Sequence, residues 1–177
     1  KQICTSRSFG EMISEFESLS QAVATFTARC AYKLRKQNSF AVSFMVFIHT
    51  NHFRKDLPQY AKNTIVKLPV PTNSSNILIK YALAALKNIY LPDYKYKKAG
   101  VIITEITPAT NLQGNLFAEP PSEKLNQLMK YVDLINNKLG NDKVRIASQG
   151  FNRKWKLRQE KLSPCYSTRL DESIVIK

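Results

Sequence analysis

The chain has 177 residues, 44% of them apolar, and carries 27 Lys and Arg against 13 Asp and Glu, a formal net charge of +14. That apolar share supports a packed core and excludes a disordered chain, and no apolar run approaches the roughly 18 residues a membrane-spanning helix requires. The charge is spread along the chain, with 15 basic against 6 acidic residues up to Thr110 and 12 against 7 beyond it, so a polyanion is indicated, nucleic acid before a membrane surface.

The sequence opens on Lys1 with a strand-like pattern and no basic-then-apolar signal region, and is read as part of a longer protein. Cys4, Cys30 and Cys165 are odd in number and form no CxxC pair, which argues against a disulfide framework or zinc site and for a reduced, cytoplasmic setting. His49 and His52 are the only histidines and have no ligand partners nearby, so no metal site is expected.

A short strand is predicted over residues 3–9, carrying the polar-basic run Thr5-Ser6-Arg7-Ser8. Ser14 and Glu17 have capping-box spacing, and Phe16, Leu19, Val23, Phe26, Cys30 and Leu34 follow as one helical stripe, with Asn38 as terminator. Residues 40–50 alternate as a strand, with Phe40, Val42, Phe44, Val46 and Ile48 on an apolar face and Ala41, Ser43, Met45, Phe47 and His49 on a mixed one. A loop over 51–61 leads to a strand over 64–68. Asn73-Ser74-Ser75 caps a second helix whose stripe is Leu78, Tyr81, Ala82, Ala85 and Ile89, and Leu91-Pro92-Asp93 stops it. A last strand over 100–107 is entered through Lys95, Lys97 and Lys98.

The order is βαββαβ, an α+β arrangement of two split βαβ units. It predicts a four-stranded antiparallel sheet with both helices on one face and the other face open. The basic and hydroxyl residues at its edges and entry points, Arg7, Lys62, Lys67, Lys97 and Lys98 with Ser6, Ser8, Asn63 and Thr64, suit phosphate contacts rather than base reading. An RNA-recognition motif shares this topology, but it requires aromatics on the third strand, and residues 64–68 have none.

Residues 1–108 thus form one unit, and 109–121 read as a Pro-, Thr- and Asn-rich linker. Within that linker, Gln113-Gly114-Asn115-Leu116-Phe117 ends on two large apolar residues. Such a pair either caps a satellite cluster of the core or fills a groove on another protein. Residues 122–177 read as a mixed helical C-terminal extension. Ser122 caps a third helix with the stripe Leu125, Leu128, Met129, Val132, Ile135 and Leu139, Gly140 ends it, and residues 143–147 suit a strand. Trp155, the single Trp, stands between Arg153-Lys154 and Lys156, where it either stacks on a base, anchors an interface or tucks onto the third helix.

Ser6-Arg7-Ser8-Phe9-Gly10-Glu11, Leu68-Pro69-Val70-Pro71-Thr72 and Lys97-Lys98-Ala99-Gly100-Val101 stand in the order and spacing of a known family. With them the chain resembles the little-finger domain of Y-family translesion DNA polymerases. Leu162-Ser163-Pro164 with Tyr166, Ser167, Thr168 and Arg169 resembles the C-terminal extension of the UmuC branch. The resemblance implies a part of an error-prone SOS repair polymerase that grips primer–template DNA. By position, Ser6, Arg7, Ser8, Lys62, Asn63, Thr64, Lys97 and Lys98 would be the phosphate contacts. It implies that Gln113, Gly114, Asn115, Leu116 and Phe117 dock on the β sliding clamp, with Gly114 departing from the usual apolar residue. It further implies that the tail serves the UmuD′ accessory subunit or the RecA filament. The catalytic carboxylates and their Mg2+ would lie in a palm domain upstream of Lys1, so this part would need no cofactor and catalyse nothing. The competing reading is a free-standing basic α/β nucleic-acid-binding module in which residues 113–117 are structural.

Overall fold

The computed structural model describes residues 2–111, 123–140, 142–151, 155, 162–166, 168, 169 and 171. In chain order the elements are β1 (Ile3–Ile13), α1 (Phe16–Lys36), β2 (Ser39–Thr50), β3 (Ala61–Thr72), α2 (Ser75–Ile89), β4 (Tyr96–Pro108) and α3 (Glu123–Leu139), with single 3₁₀ turns at Ala109–Asn111 and Ala147–Gln149. The sheet order is β1-β4-β2-β3, and every neighbouring pair is antiparallel. Each βαβ unit therefore has one strand inserted between its two parallel strands, which is the expected split arrangement. β1 and β3 are the edges, and β3 accommodates Pro69 and Pro71 because an edge strand need not donate every amide.

The core lies between the sheet and the helix pair. Leu19, Val23, Phe26, Cys30 and Leu34 of α1 and Leu78, Ala82, Leu86 and Ile89 of α2 are buried against Phe44, Val46, Ile48, Val101 and Ile103. Burial raises the Cys30 thiol to about 11, so it stays protonated and behaves as a small apolar residue.

The expected caps at both helix starts are corrected. The Ser14/Glu17 capping box does not form, because β1 runs on to Ile13 and only two residues connect it to α1. Glu15 takes the cap position in an extended conformation, its carboxylate accepts from Ser18 Oγ at 3.0 Å, and the Ser14 carbonyl accepts from Tyr90 Oη at 2.7 Å. Ser74 likewise precedes α2 without a side-chain cap bond, and the α2 entry is held by Arg35, which donates to the Asn73 carbonyl at 2.7 Å and Ser75 Oγ at 3.0 Å. Asn38 does end α1, at φ 50°, a left-handed conformation Asn tolerates.

β2 does not keep one apolar face. Its pairing with both neighbours is irregular between Ala41 and Ser43, and the extra residue shifts the alternation, so that Ala41 and then Phe44, Val46 and Ile48 enter the core. Phe40 and Val42 are only partly buried as a result.

Beyond the sheet, α3, residues 142–151 and Trp155 meet α1. Arg35 and Asp133 make two parallel bonds of 2.6 and 2.7 Å, Tyr32 Oη donates to Asn137 Oδ1 at 2.8 Å, and Arg29 faces Asp142 at 3.5 Å. Trp155 is buried and meets the Phe26 ring edge-on at 5.4 Å, so it is a packing residue on α1 rather than a stacking platform or a plug on α3. Residues 143–147 are not a strand: the Asn136 side-chain amide brackets the Val144 backbone through two bonds of 2.9 Å, leaving no strand partner. The α3 stripe is only partly covered, with Met129 buried and Leu128, Ile135 and Leu139 exposed. The Ser122 cap lies outside the described residues.

Candidate nucleic-acid interface

Residues directly opposite one another in an antiparallel pair share a face. The register therefore lays out the helix-free face of the sheet in rows. One row reads Ser8, Lys98, His49, Ala61 across β1, β4, β2 and β3; the next reads Ser6, Gly100, Phe47, Asn63; the third reads Cys4, Ile102, Met45, Ile65. Below them, Ser43 and Thr104 join their hydroxyls at 2.7 Å, and Lys67 stands opposite Ser43.

Phe47 occupies the middle of this face because Gly100 is beside it. A Cβ on Gly100 would lie 2.4 Å from both Phe47 Cζ and Ser6 Cβ, so only glycine leaves room for the ring against β4. The His49 ring follows at 5.1 Å from Phe47. Burial, then the Lys98 charge, then His52 hold the His49 imidazole below its ordinary value, favouring the neutral ring. The face is thus hydroxyls and an amide at its margins, an apolar and aromatic centre, and two exposed lysines, Lys67 and Lys98.

Of the eight residues singled out as phosphate contacts, Ser6, Ser8, Asn63 and Lys98 come together here. Arg7, Lys62 and Thr64 do not: they stand opposite Ala99, Ile48 and Val46, on the helix side of the sheet. The cause is elementary, since consecutive strand residues point to opposite faces and a run such as Ser6-Arg7-Ser8 cannot act as one patch. Arg7 instead borders a groove of about 910 Å³ together with Arg29, Lys33 and Lys36 of α1 and Met129 of α3. Lys97 is engaged internally, its ammonium donating to the Phe9 carbonyl at 2.6 Å and the Gly10 carbonyl at 3.3 Å, where it braces the irregular end of β1. Gln113, Gly114, Asn115, Leu116 and Phe117 lie outside the described residues.

The sequence reading puts Phe47 and His49 on the mixed face of their strand without singling them out. The available signal was a lone glycine, Gly100, in a β-rich strand, which marks a close approach by a neighbour. Among the described residues no group of three or more His, Cys, Asp or Glu is placed to hold a metal ion. None of the described helices is long and apolar enough to cross a membrane.

The model of the impB/mucB/samB family C-terminal domain matches residues 1–116, and a domain of unknown function (DUF4113) matches residues 126–176. Protein ImpB of Salmonella typhimurium is 36% identical over 170 residues, covering 96% of this chain and 40% of ImpB. Protein UmuC of Salmonella typhimurium is 33% identical over 178 residues, covering all of this chain and 42% of UmuC. The chain therefore spans about two fifths of the length of these curated relatives. Among solved structures, a complex of the beta-clamp processivity factor and the little finger domain of PolIV is similar with a TM-score of 0.43 at 14% identity, over 67% of this chain and 100% of that one.

Proposed function

The chain belongs to the impB/mucB/samB family, and on that footing we propose that it is the DNA-gripping, clamp-recruiting C-terminal part of a UmuC-like translesion polymerase acting in SOS repair. The observation that carries the DNA reading is the open face itself. A sheet covered by helices on one side only leaves Ser6, Ser8, Asn63, Lys67 and Lys98 around the aromatic centre of Phe47 and His49, in a chain of net charge +14. Hydroxyls, an amide and ammonium groups donate to phosphate oxygens without regard to sequence, which suits a domain that must travel along any template. The polymerase reaction and its Mg2+ are assigned to another part of such a protein, and a cytoplasmic setting follows from the same reading.

Clamp recruitment is assigned to Gln113, Leu116 and Phe117. Two adjacent apolar side chains in a polar segment suit an apolar groove, and a chain already held on clamp-loaded DNA makes that contact effectively intramolecular, offsetting the anchor missing at Gly114. The UmuD′ subunit and the RecA filament are assigned to the C-terminal extension.

The test is a salt titration of affinity for a primer–template duplex. Log Kd should rise linearly with log salt, and Lys98→Glu should weaken binding, whereas Lys124→Glu on α3 should change it little. Equal loss from the two reversals would leave only non-specific attraction of a basic chain. In parallel, Leu116→Ala/Phe117→Ala should abolish binding to the β sliding clamp while leaving DNA affinity intact. Retained clamp binding by that variant would remove the recruitment role.

A further inference from the structure

The β2–β3 connection presents an aromatic pair that neither the core nor the phosphate contacts use. Phe53 is 80% exposed, and its ring lies on that of His52 with centroids 3.8 Å apart. The connection is built to hold that pose. Asn51 Oδ1 accepts from the Phe53 amide at 3.2 Å, the Asn51 carbonyl accepts from the Arg54 amide at 3.0 Å, and the Leu57 amide donates to the Arg54 carbonyl at 3.2 Å. Gln59 Nε2 reaches the carbonyls of Arg54 at 2.8 Å and Leu57 at 3.0 Å, and Thr50 Oγ1 holds its other end at 3.1 Å. Arg54 and Asp56 close the tip with bonds of 2.8 and 2.7 Å.

Folding alone gives little reason to fix a phenyl ring in water, because beyond its contact with His52 the ring gains nothing there and ordering the loop costs entropy. A rigid exposed ring is pre-organised for a ligand. Its surroundings state which kind. His52 follows the last residue of β2, Thr50, by two positions, so the His52–Phe53 pair stands just past the end of the strand that carries the Phe47–His49 pair. Lys98 stands opposite His49 on one side. On another, the exposed Lys95 lines a cleft of about 440 Å³ with Gly10, Glu11, Met12 and Asn51, where Arg54 is paired with Asp56 and Lys97 with the Phe9 and Gly10 carbonyls. An aromatic line edged by cations is the arrangement that takes a single-stranded nucleic acid, whose bases stack on the rings while cations follow the backbone.

We propose that Phe53, backed by His52, stacks on an unpaired nucleobase at the junction of duplex and single strand, while Lys98 and its neighbours hold the adjoining phosphates. This rests on the DNA-gripping reading and adds to it a contact that senses whether a strand is paired.

The experiment compares the whole 177-residue chain with Phe53→Ala and Phe53→Trp on three labelled DNAs: a blunt hairpin, the same hairpin with a 5′ overhang, and that overhang with an abasic first position. Phe53→Ala should lose about five- to a hundredfold in affinity for the overhang and nothing measurable on the blunt hairpin. Phe53→Trp should restore binding, and the abasic overhang should erase the difference. A 2-aminopurine at the first unpaired position should be quenched by the unmodified chain and not by Phe53→Ala. Unchanged overhang affinity in Phe53→Ala, with all three DNAs still bound, would overturn the stacking role alone and turn attention to a protein partner for this loop. Failure of the unmodified chain to bind any of the DNAs would overturn the DNA reading and this proposal together. Melting of each variant guards the comparison, and an 80% exposed side chain should leave it unchanged.

Discussion

The Phe47 ring lies across the backbone of Gly100, closely enough that a single methyl group on Gly100 would sit 2.4 Å from Phe47 Cζ. Gly100→Ala should therefore cost about 1–3 kcal/mol, as overpacking does where the neighbours cannot retreat. Urea denaturation would show it as a lowered midpoint at unchanged slope. Phe47→Leu combined with Gly100→Ala should recover part of the loss, because the ring that blocks the methyl is then gone.

Arg35 joins three elements at once, bonding Asp133 of α3 while holding the entry to α2. Its side chain is 12% exposed and that of Asp133 is 18% exposed. Asp133→Ala should destabilise by on the order of 2 kcal/mol, less than for a wholly buried pair because both groups retain some water. Trypsin should then cut within α3 well before the sheet unfolds, while a variant still protected there would show that the ion pair does not hold α3 in place.

His49 has its pKa lowered from 6.5 in the folded chain, so the unfolded chain binds that proton more readily. Stability is unaffected by His49 well above 6.5, falls as pH drops through that value, and levels off below the folded pKa. His49→Gln should remove this slope in urea midpoints measured across the interval. Lys98→Met should move the His49 imidazole resonance titration upward, since the second of its depressing influences is then absent.

The adjacent lysines Lys97 and Lys98 should separate cleanly. Lys98→Ala should leave melting unchanged and reduce the salt slope of DNA binding by about 0.9 per phosphate contact removed. Lys97→Ala should cost about 1–2 kcal/mol, because two carbonyls of the β1 bulge lose a charged donor. Thermal melts and salt titrations of the two variants side by side would check both halves.

The element order was legible because the stripes of α1 and α2 and the alternation of the strands are local patterns, and Asn38 marked its own turn. What the sequence hid was set by pairing. The bulge at Ala41–Ser43 depends on how β2 meets two neighbours, so the phase shift that moves Phe40 and Val42 out of the core left no local trace. Ser14 looked like a cap only while β1 was taken to end near Phe9. The run Ser6-Arg7-Ser8 reads as one patch in sequence, but in a strand Ser6 and Ser8 share a face and Arg7 between them takes the other. The Phe47–Gly100 packing joins residues far apart in sequence, and no spacing rule reaches it. Trp155 sits in a stretch without periodicity, so only its contact with Phe26 could assign it.

The central claim is that DNA lies on the helix-free face of the sheet. Methyl resonances test it directly, because Met45, Ile65 and Ile102 lie on that face while Leu128, Ile135 and Leu139 are exposed on α3 on the far side of the molecule's core. Titrating a short primer–template duplex into methyl-labelled protein should shift the first three and leave the last three in place. Shifts confined to α3, or shared equally by the two sets, would contradict the assignment of the open face.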